Sequence, residues 1–307
     1  MEHVRFKNRS WDVAADLRLP KDFDPSKKYP AIICAHPISS CKEQTSGSIY
    51  GERLTEQGYV TLAFDASHQG ESGGEPRYLE DPATRVEDFR CAVDHLVTLD
   101  YVDENRIGCL GVCGGGGYAA NATMTEHRIK ALVTVVAANY GRLVREGDFS
   151  AGAAIGMLEA VGRQRTAEAR GADPVITTYI PNSQEERESA GIADIDIEQA
   201  IDYYKTPRGA NPNSPNKLRL SGLSAAVGWD AFHLAEYLLT QPLQVIVGGV
   251  PGGFGSYRDG FELFGKAASQ NKNIFVVEGA SHYDLYDQPF AVDQAFEKIT
   301  PFFKDNL

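Results

Sequence analysis

Hydrophobic and polar positions divide the chain into strand-length apolar runs separated by segments with helical spacing. HVRFKNR (3–9) and DVAADLRLP (12–20) alternate residue by residue, the pattern of an antiparallel hairpin buried on one face. YPAIICAHP (29–37) is a continuous apolar run, as in a strand covered on both faces. GYVTLAFDAS (58–67), NRIGCLGVC (105–113), IKALVTVVAAN (129–139), PLQVIVGG (242–249) and NIFVVEGAS (273–281) are further buried runs. Helices are predicted over 47–57, 83–99, 115–126, 258–269 and 290–304; in 83–99 the apolar positions recur three and four apart. Strands alternating with helices predict an α/β fold, a mostly parallel central sheet joined by right-handed crossovers.

One region breaks this rhythm. From about 140 to 240 there are helical stretches (149–170, 184–205, 224–239) but no strong buried strand. The expected organisation is an α/β core of residues 1–139 and 241–307 carrying a helical cap of residues 140–240 over the edge of the sheet, where ligands bind. The competing arrangement is a helical companion with no part in the site.

Composition narrows the partners. The 307 residues include 30 basic and 42 acidic side chains, a net charge of −12. Such a surface repels phosphate backbones, so neither nucleic acid nor an anionic membrane is an expected partner. No apolar stretch approaches the roughly 18 residues a membrane span needs. The N-terminus, charged from its second residue, lacks the apolar core of a secretory signal. Five cysteines form no CxxC pair, and the expected setting is a reducing, cytoplasmic one. A homodimer is the commonest arrangement for such a protein.

The sharpest chemical signal is Gly111-Val112-Cys113-Gly114-Gly115, at the end of a buried strand and the start of a helix. It is the nucleophile-elbow pattern G-x-S-x-G with cysteine in the serine position. Glycines at 111 and 115 suit a tight strand-to-helix turn, and the helix N-terminus favours a thiolate at Cys113. The competing reading of Cys113 is a small buried apolar residue. A base is expected from His282, in EGASHYDLYD after a late strand, which follows the order nucleophile, acid, histidine. No acid stands just after PLQVIVGG; the first carboxylate is Asp259, and Asn139 or no third member at all are the alternatives. The N–H of Gly114 and, since Pro37 has none, that of Ile38 are the candidate oxyanion donors. Cys34, His36 and Cys41 lack a fourth ligand for zinc, so no metal or cofactor is expected.

AHPISSCKEQ (35–44), AFDASHQGESGG (63–74), VEDFRCAVDHL (86–96), RIGCLGVCGGGGYA (106–119) and VEGASHYDLYD (277–287) together resemble the dienelactone-hydrolase-like branch of the α/β-hydrolases. The likeness extends to YcjY-type bacterial proteins and the fungal polyketide thiohydrolase or transferase group. It implies a site at the C-terminal edge of the sheet, a Cys or Ser nucleophile carried onto Cys113 and a histidine carried onto His282. Where the family has His-Gly this chain has His36-Pro37, and the family's acid after PLQVIVGG is missing. The expected function is therefore a cysteine hydrolase of an ester, lactone or thioester, working through a covalent acyl-enzyme on a small acyl substrate. An acyltransferase using the same Cys-His site and a non-catalytic small-molecule-binding protein are the alternatives.

Overall fold

The computed structural model describes residues 1–146 and 151–307. At the N-terminus, β1 (Glu2–Asn8) and β2 (Trp11–Arg18) form the predicted hairpin, pairing antiparallel with Asn8 opposite Trp11. The buried runs become β3 (Tyr29–Ala35), β4 (Val60–Phe64), β5 (Val102–Val112) and β6 (Ile129–Val135). A short ladder follows, β7 (Ile176–Thr177) with β8 (Leu218–Arg219), and then β9 (Leu243–Gly248) and β10 (Lys272–Val277). The main sheet has eight strands in the order β1-β2-β4-β3-β5-β6-β9-β10, antiparallel at β1, β2 and β4 and parallel from β4 onward. Every residue of β4 and β9 is buried, because helices cover both faces there.

The crossover helices fall where the apolar spacing put them: Pro82–Val97, Gly114–Thr125, Ser256–Lys266 and Pro289–Asn306. The first is capped by Asp81, which accepts from the N–H of Thr84, and has Pro82 at its first position. The predicted helix 47–57 is a π turn, Ser46–Gly51, running into a short helix, Glu52–Glu56.

Between β6 and β9 the chain forms helices Tyr140–Glu146, Ala151–Ala169, Gln184–Ser189, Ile195–Lys205, Leu223–Val227 and Ala235–Leu238. Positions 149 and 150 of the predicted helix 149–170 lie outside the described residues. The predicted helix 184–205 is two helices. Gly191 at φ +70° follows the first, and Asp194 starts the second by accepting from the N–H groups of Asp196 and Ile197. The predicted 224–239 is likewise broken, with Leu234 in the left-handed region at φ +67°. Strands β7 and β8, two residues each, are too short to leave a period-two pattern. Among the described residues, no helix is long and apolar enough to cross a membrane.

Candidate active site

The sheet's C-terminal edge turns sharply after β5. Cys113 has φ 54° and ψ −128°, a strained conformation for a residue with a Cβ, and its N–H donates to Val135 O at 2.9 Å. A Cβ at Gly111 would lie 2.5 Å from Gly115 O; one at Gly115 would lie 2.5 Å from both Ala35 O and His36 O. Backbone cannot yield to such contacts, so both glycines are required, as the sequence pattern predicts. The turn leaves the Cys113 side chain nearly covered at the floor of a cavity.

Two backbone donors meet there. The N–H groups of Ile38 and Gly114 both hydrogen-bond to the Cys113 sulfur. The loop carrying Ile38 is held by His36. The His36 ring has Nδ1 2.7 Å from Pro37 O, and its Nε2 accepts from the N–H of Ala66 at 3.0 Å. Arg85 Nη2 donates to His36 O at 3.2 Å. The loop therefore uses Pro37 only through its carbonyl, so the missing N–H does not disturb it. Burial first, then the Arg85 charge, holds His36 well below the ordinary histidine range. Beyond it, buried Lys42 pairs with Asp65 at 3.3 Å, with Glu71 at 2.5 Å and with Glu43, whose carboxylate also accepts from Asn213 Nδ2 at 3.1 Å. Cys41, Glu43 and Asp65 bring ligand atoms within 4.8 Å of one another. Both carboxylates are already paired with the Lys42 ammonium, which makes this group an ion-paired anchor of the loop.

His282 follows β10 in the loop before a short helix, Asp284–Asp287. Its Nδ1 lies 2.9 Å from Ser256 Oγ and its Nε2 3.4 Å from Tyr286 Oη. Phe254 meets the ring edge-on, with centroids 5.5 Å apart. Burial alone pushes the imidazole down to about 3, so it is neutral across the physiological range. Ser256 opens the helix after β9 and occupies the place sequence reasoning reserved for an acid; a serine there gives no carboxylate signal to find. Tyr286 was missed too, although its spacing four residues after His282 in SHYDLYD puts the two side chains one helical turn apart.

Asp259 does not serve His282. Fully buried, it forms an ion pair with Arg142, with Nε to Oδ1 and Nη2 to Oδ2 both 2.7 Å, and accepts from the N–H of Asn139 at 2.8 Å. Burial raises its carboxyl, with Arg142 opposing. Asn139 is no orienting residue either: its Oδ1 accepts from the N–H of Ala231 and its Nδ2 donates to Asp230. Together these residues fasten the end of β6 to the helices inserted after it. The sequence placed Asp259 near the site by chain order alone, which cannot show that an arginine claims it first.

The cavity above Cys113 is about 560 Å³, within the range of small-molecule sites. Ile38, Cys113 and Tyr286 lie at the sheet edge, and Leu143, Met157, Ile180, Ile197, Leu218 and Leu223 come from the insertion. Of the aromatic residues there, Tyr140, Tyr179 and Tyr204 line the cavity. Trp229 instead stacks on Tyr118 with centroids 4.7 Å apart, and Phe232 is fully buried in the core.

A mostly parallel sheet with a strained strand-to-helix turn, converging N–H donors and a histidine after the last strand defines an α/β-hydrolase fold. Residues 46–178, which include the elbow, match the family described as Serine aminopeptidase, S33. The chain is 40% identical over 303 residues to the uncharacterized protein YcjY of Escherichia coli (strain K12), covering 98% of this chain and 96% of that protein. The crystal structure of hypothetical protein PA2218 from Pseudomonas aeruginosa superposes with a TM-score of 0.89 at 33% identity, covering 100% of this chain and 93% of that one. The structure of DcsB in complex with its substrate analogue has the same fold, with a TM-score of 0.80 at 20% identity, covering 100% and 99%. The chain belongs to the α/β-hydrolase superfamily, in the family of bacterial proteins that includes YcjY and PA2218.

These findings correct the expected chemistry. The matched family is one of serine hydrolases, which overturns the assignment to cysteine hydrolases acting through a thiolate and a thioester acyl-enzyme. The site agrees. Although the elbow residue in this chain is Cys113, burial pushes its thiol up to about 11 despite hydrogen bonds from Tyr286, Gly114 and Ile38. The helix N-terminus does not outweigh desolvation, so burial favours the protonated thiol over the thiolate.

Proposed function

We propose that this chain hydrolyses a small, uncharged ester or lactone with an apolar acyl group. The observation that carries the reading is the convergence of the Ile38 and Gly114 N–H groups on the Cys113 side chain at an apolar cavity, with a neutral imidazole 3.4 Å behind the Tyr286 hydroxyl of the same lining. Those donors are placed to hold a carbonyl oxygen as it becomes an oxyanion. With the Cys113 thiol protonated at neutral pH, the attack falls to water, and His282 is the group that receives its proton. The resemblance to dienelactone hydrolases supports a lactone or compact ester as substrate. Residues 140–240 act as the cap: Leu143, Met157 and Leu223 supply apolar walls, and the carboxylate of Asp194 at the lining disfavours anionic substrates.

The test is a series of p-nitrophenyl esters and alkyl lactones of increasing chain length, assayed with the wild type, His282→Ala and Cys113→Ser. We expect kcat/KM to rise about fourfold per methylene until the cavity is filled, from about 0.8 kcal/mol per buried CH₂. His282→Ala should lose activity, and Cys113→Ser, which installs the residue of the matched family, should retain or exceed wild-type turnover. If neither wild type nor Cys113→Ser cleaves any member of the series, or His282→Ala retains full activity, the reading fails.

A further inference from the structure

Tyr286 is held in a way its packing alone does not require. It sits on the short helix Asp284–Asp287, which neighbouring segments pin from several sides. Thr45 Oγ1 donates to Tyr286 O and Tyr50 Oη to Leu285 O, each at 2.6 Å. Arg208 donates to Tyr283 O at 2.8 Å and pairs with Asp287 at 2.7 Å. The Tyr286 ring is fully buried, with its centroid 4.5 Å from that of Tyr283 and 5.1 Å from that of Tyr203. A phenol buried this completely needs hydrogen-bond partners. It lies 3.4 Å from His282 Nε2, and as a donor beside the Cys113 sulfur it opposes the rise of that thiol. The nearby carboxylate is that of Asp196, which acts on Tyr283 and Cys113 through its charge. Tyr286 itself lines the cavity. Its hydroxyl thus stands between the imidazole and the point where the oxyanion donors converge.

We propose that Tyr286 is a catalytic proton relay between the reacting centre and His282. This rests on the hydrolytic reading above. In the attack, the water oxygen bonds to the carbonyl carbon and its proton passes to Tyr286 Oη, while the phenol's own proton passes to His282 Nε2. When the tetrahedral intermediate collapses, the bond to the leaving oxygen breaks. That oxygen then takes a proton from Tyr286 Oη as His282 returns one to the phenol. Both groups end in their starting states, and no other reactant is needed. The relay accounts for the contacts of His282: its two nitrogens meet Ser256 and Tyr286, so the phenol carries the path to substrate.

The test variant is Tyr286→Phe, which keeps the ring packing and the backbone contacts and removes only the hydroxyl. Its kcat for the best ester should fall about a hundredfold, in the range of a lost general acid–base group, with KM changed less than about threefold. The proton inventory in mixed H₂O/D₂O should change from two protons in flight to one, which a purely structural role would not produce. On substrate-free protein, iodoacetamide should alkylate Cys113 at least about threefold more slowly at pH 8, because a donor to the sulfur is gone. If Tyr286→Phe fails to fold, 3,5-difluorotyrosine at position 286 keeps the hydroxyl while making it more acidic, and should shift the pH–rate profile. A Tyr286→Phe protein with wild-type kcat and proton inventory would overturn the relay alone. An inert wild type would overturn the hydrolytic reading and the relay with it.

Discussion

Replacing Asp259 by Asn separates a structural carboxylate from a catalytic one. Asp259 is fully buried and bound to Arg142 by two contacts of 2.7 Å, with a third from the N–H of Asn139 at 2.8 Å. Removing its charge leaves the Arg142 guanidinium, 6% exposed, without its main counter-charge, although Phe254 O still accepts from Nη2 at 2.6 Å. Breaking a buried pair from one side costs about 3–5 kcal/mol, a large fraction of a typical folding free energy of about 5–15 kcal/mol. The double variant Asp259→Asn/Arg142→Met removes both charges and should recover a large part of that loss, because no lone charge remains buried. Urea unfolding followed by circular dichroism gives the four corners of the cycle, and p-nitrophenyl ester turnover per folded molecule gives the activity. We expect a coupling of at least about 2 kcal/mol and turnover within a few-fold of wild type for every folded variant. A stable Asp259→Asn protein whose turnover falls a thousandfold would show that Asp259 is the triad acid after all.

Three further outcomes follow from the geometry. Gly115→Ala should destabilise by about 3 kcal/mol or more in urea unfolding, because its Cβ would meet two carbonyl oxygens at 2.5 Å, whereas Gly265→Ala, in open space within a helix, should stabilise by about 0.5–1 kcal/mol; equal effects at the two sites would contradict the packing described for the elbow. Burial lifts Asp196 from 3.8 to about 7, so the folded state binds its proton more tightly than the unfolded state, and the stability this contributes at low pH is lost as pH rises through about 7. Asp196→Asn should therefore gain on the wild type between pH 4 and pH 8 by up to about 4 kcal/mol, at about 1.4 kcal/mol per pH unit, and a pH-independent difference would refute the burial account. His282 has the opposite sign: its pKa is depressed to about 3, so wild type should lose stability relative to His282→Gln as pH falls from about 6.5 toward 3, and parallel acid-unfolding curves would argue against a buried neutral imidazole.

The sequence by itself determined the sheet, the elbow and the position of the histidine. Continuous apolar runs such as PLQVIVGG can be buried only on both faces of a sheet, and glycines at 111 and 115 mark a backbone crossing too tight for a Cβ. Those signals are local, written in consecutive residues. What only the tertiary structure decided is where polar groups separated by many residues find their partners. Asp259 looked available for His282 until Arg142, 117 residues earlier, took its charge, and the place of the acid fell to Ser256, 26 residues from the histidine it contacts. The breaks in the inserted helices were set by Gly191 and Leu234 in the left-handed region, and a Leu there leaves no trace in hydrophobic spacing. The protonation state of Cys113 was decided last. Motif and helix N-terminus argue for a thiolate, but desolvation depends on how completely the rest of the chain closes over one sulfur, and that closure is a property of the whole fold.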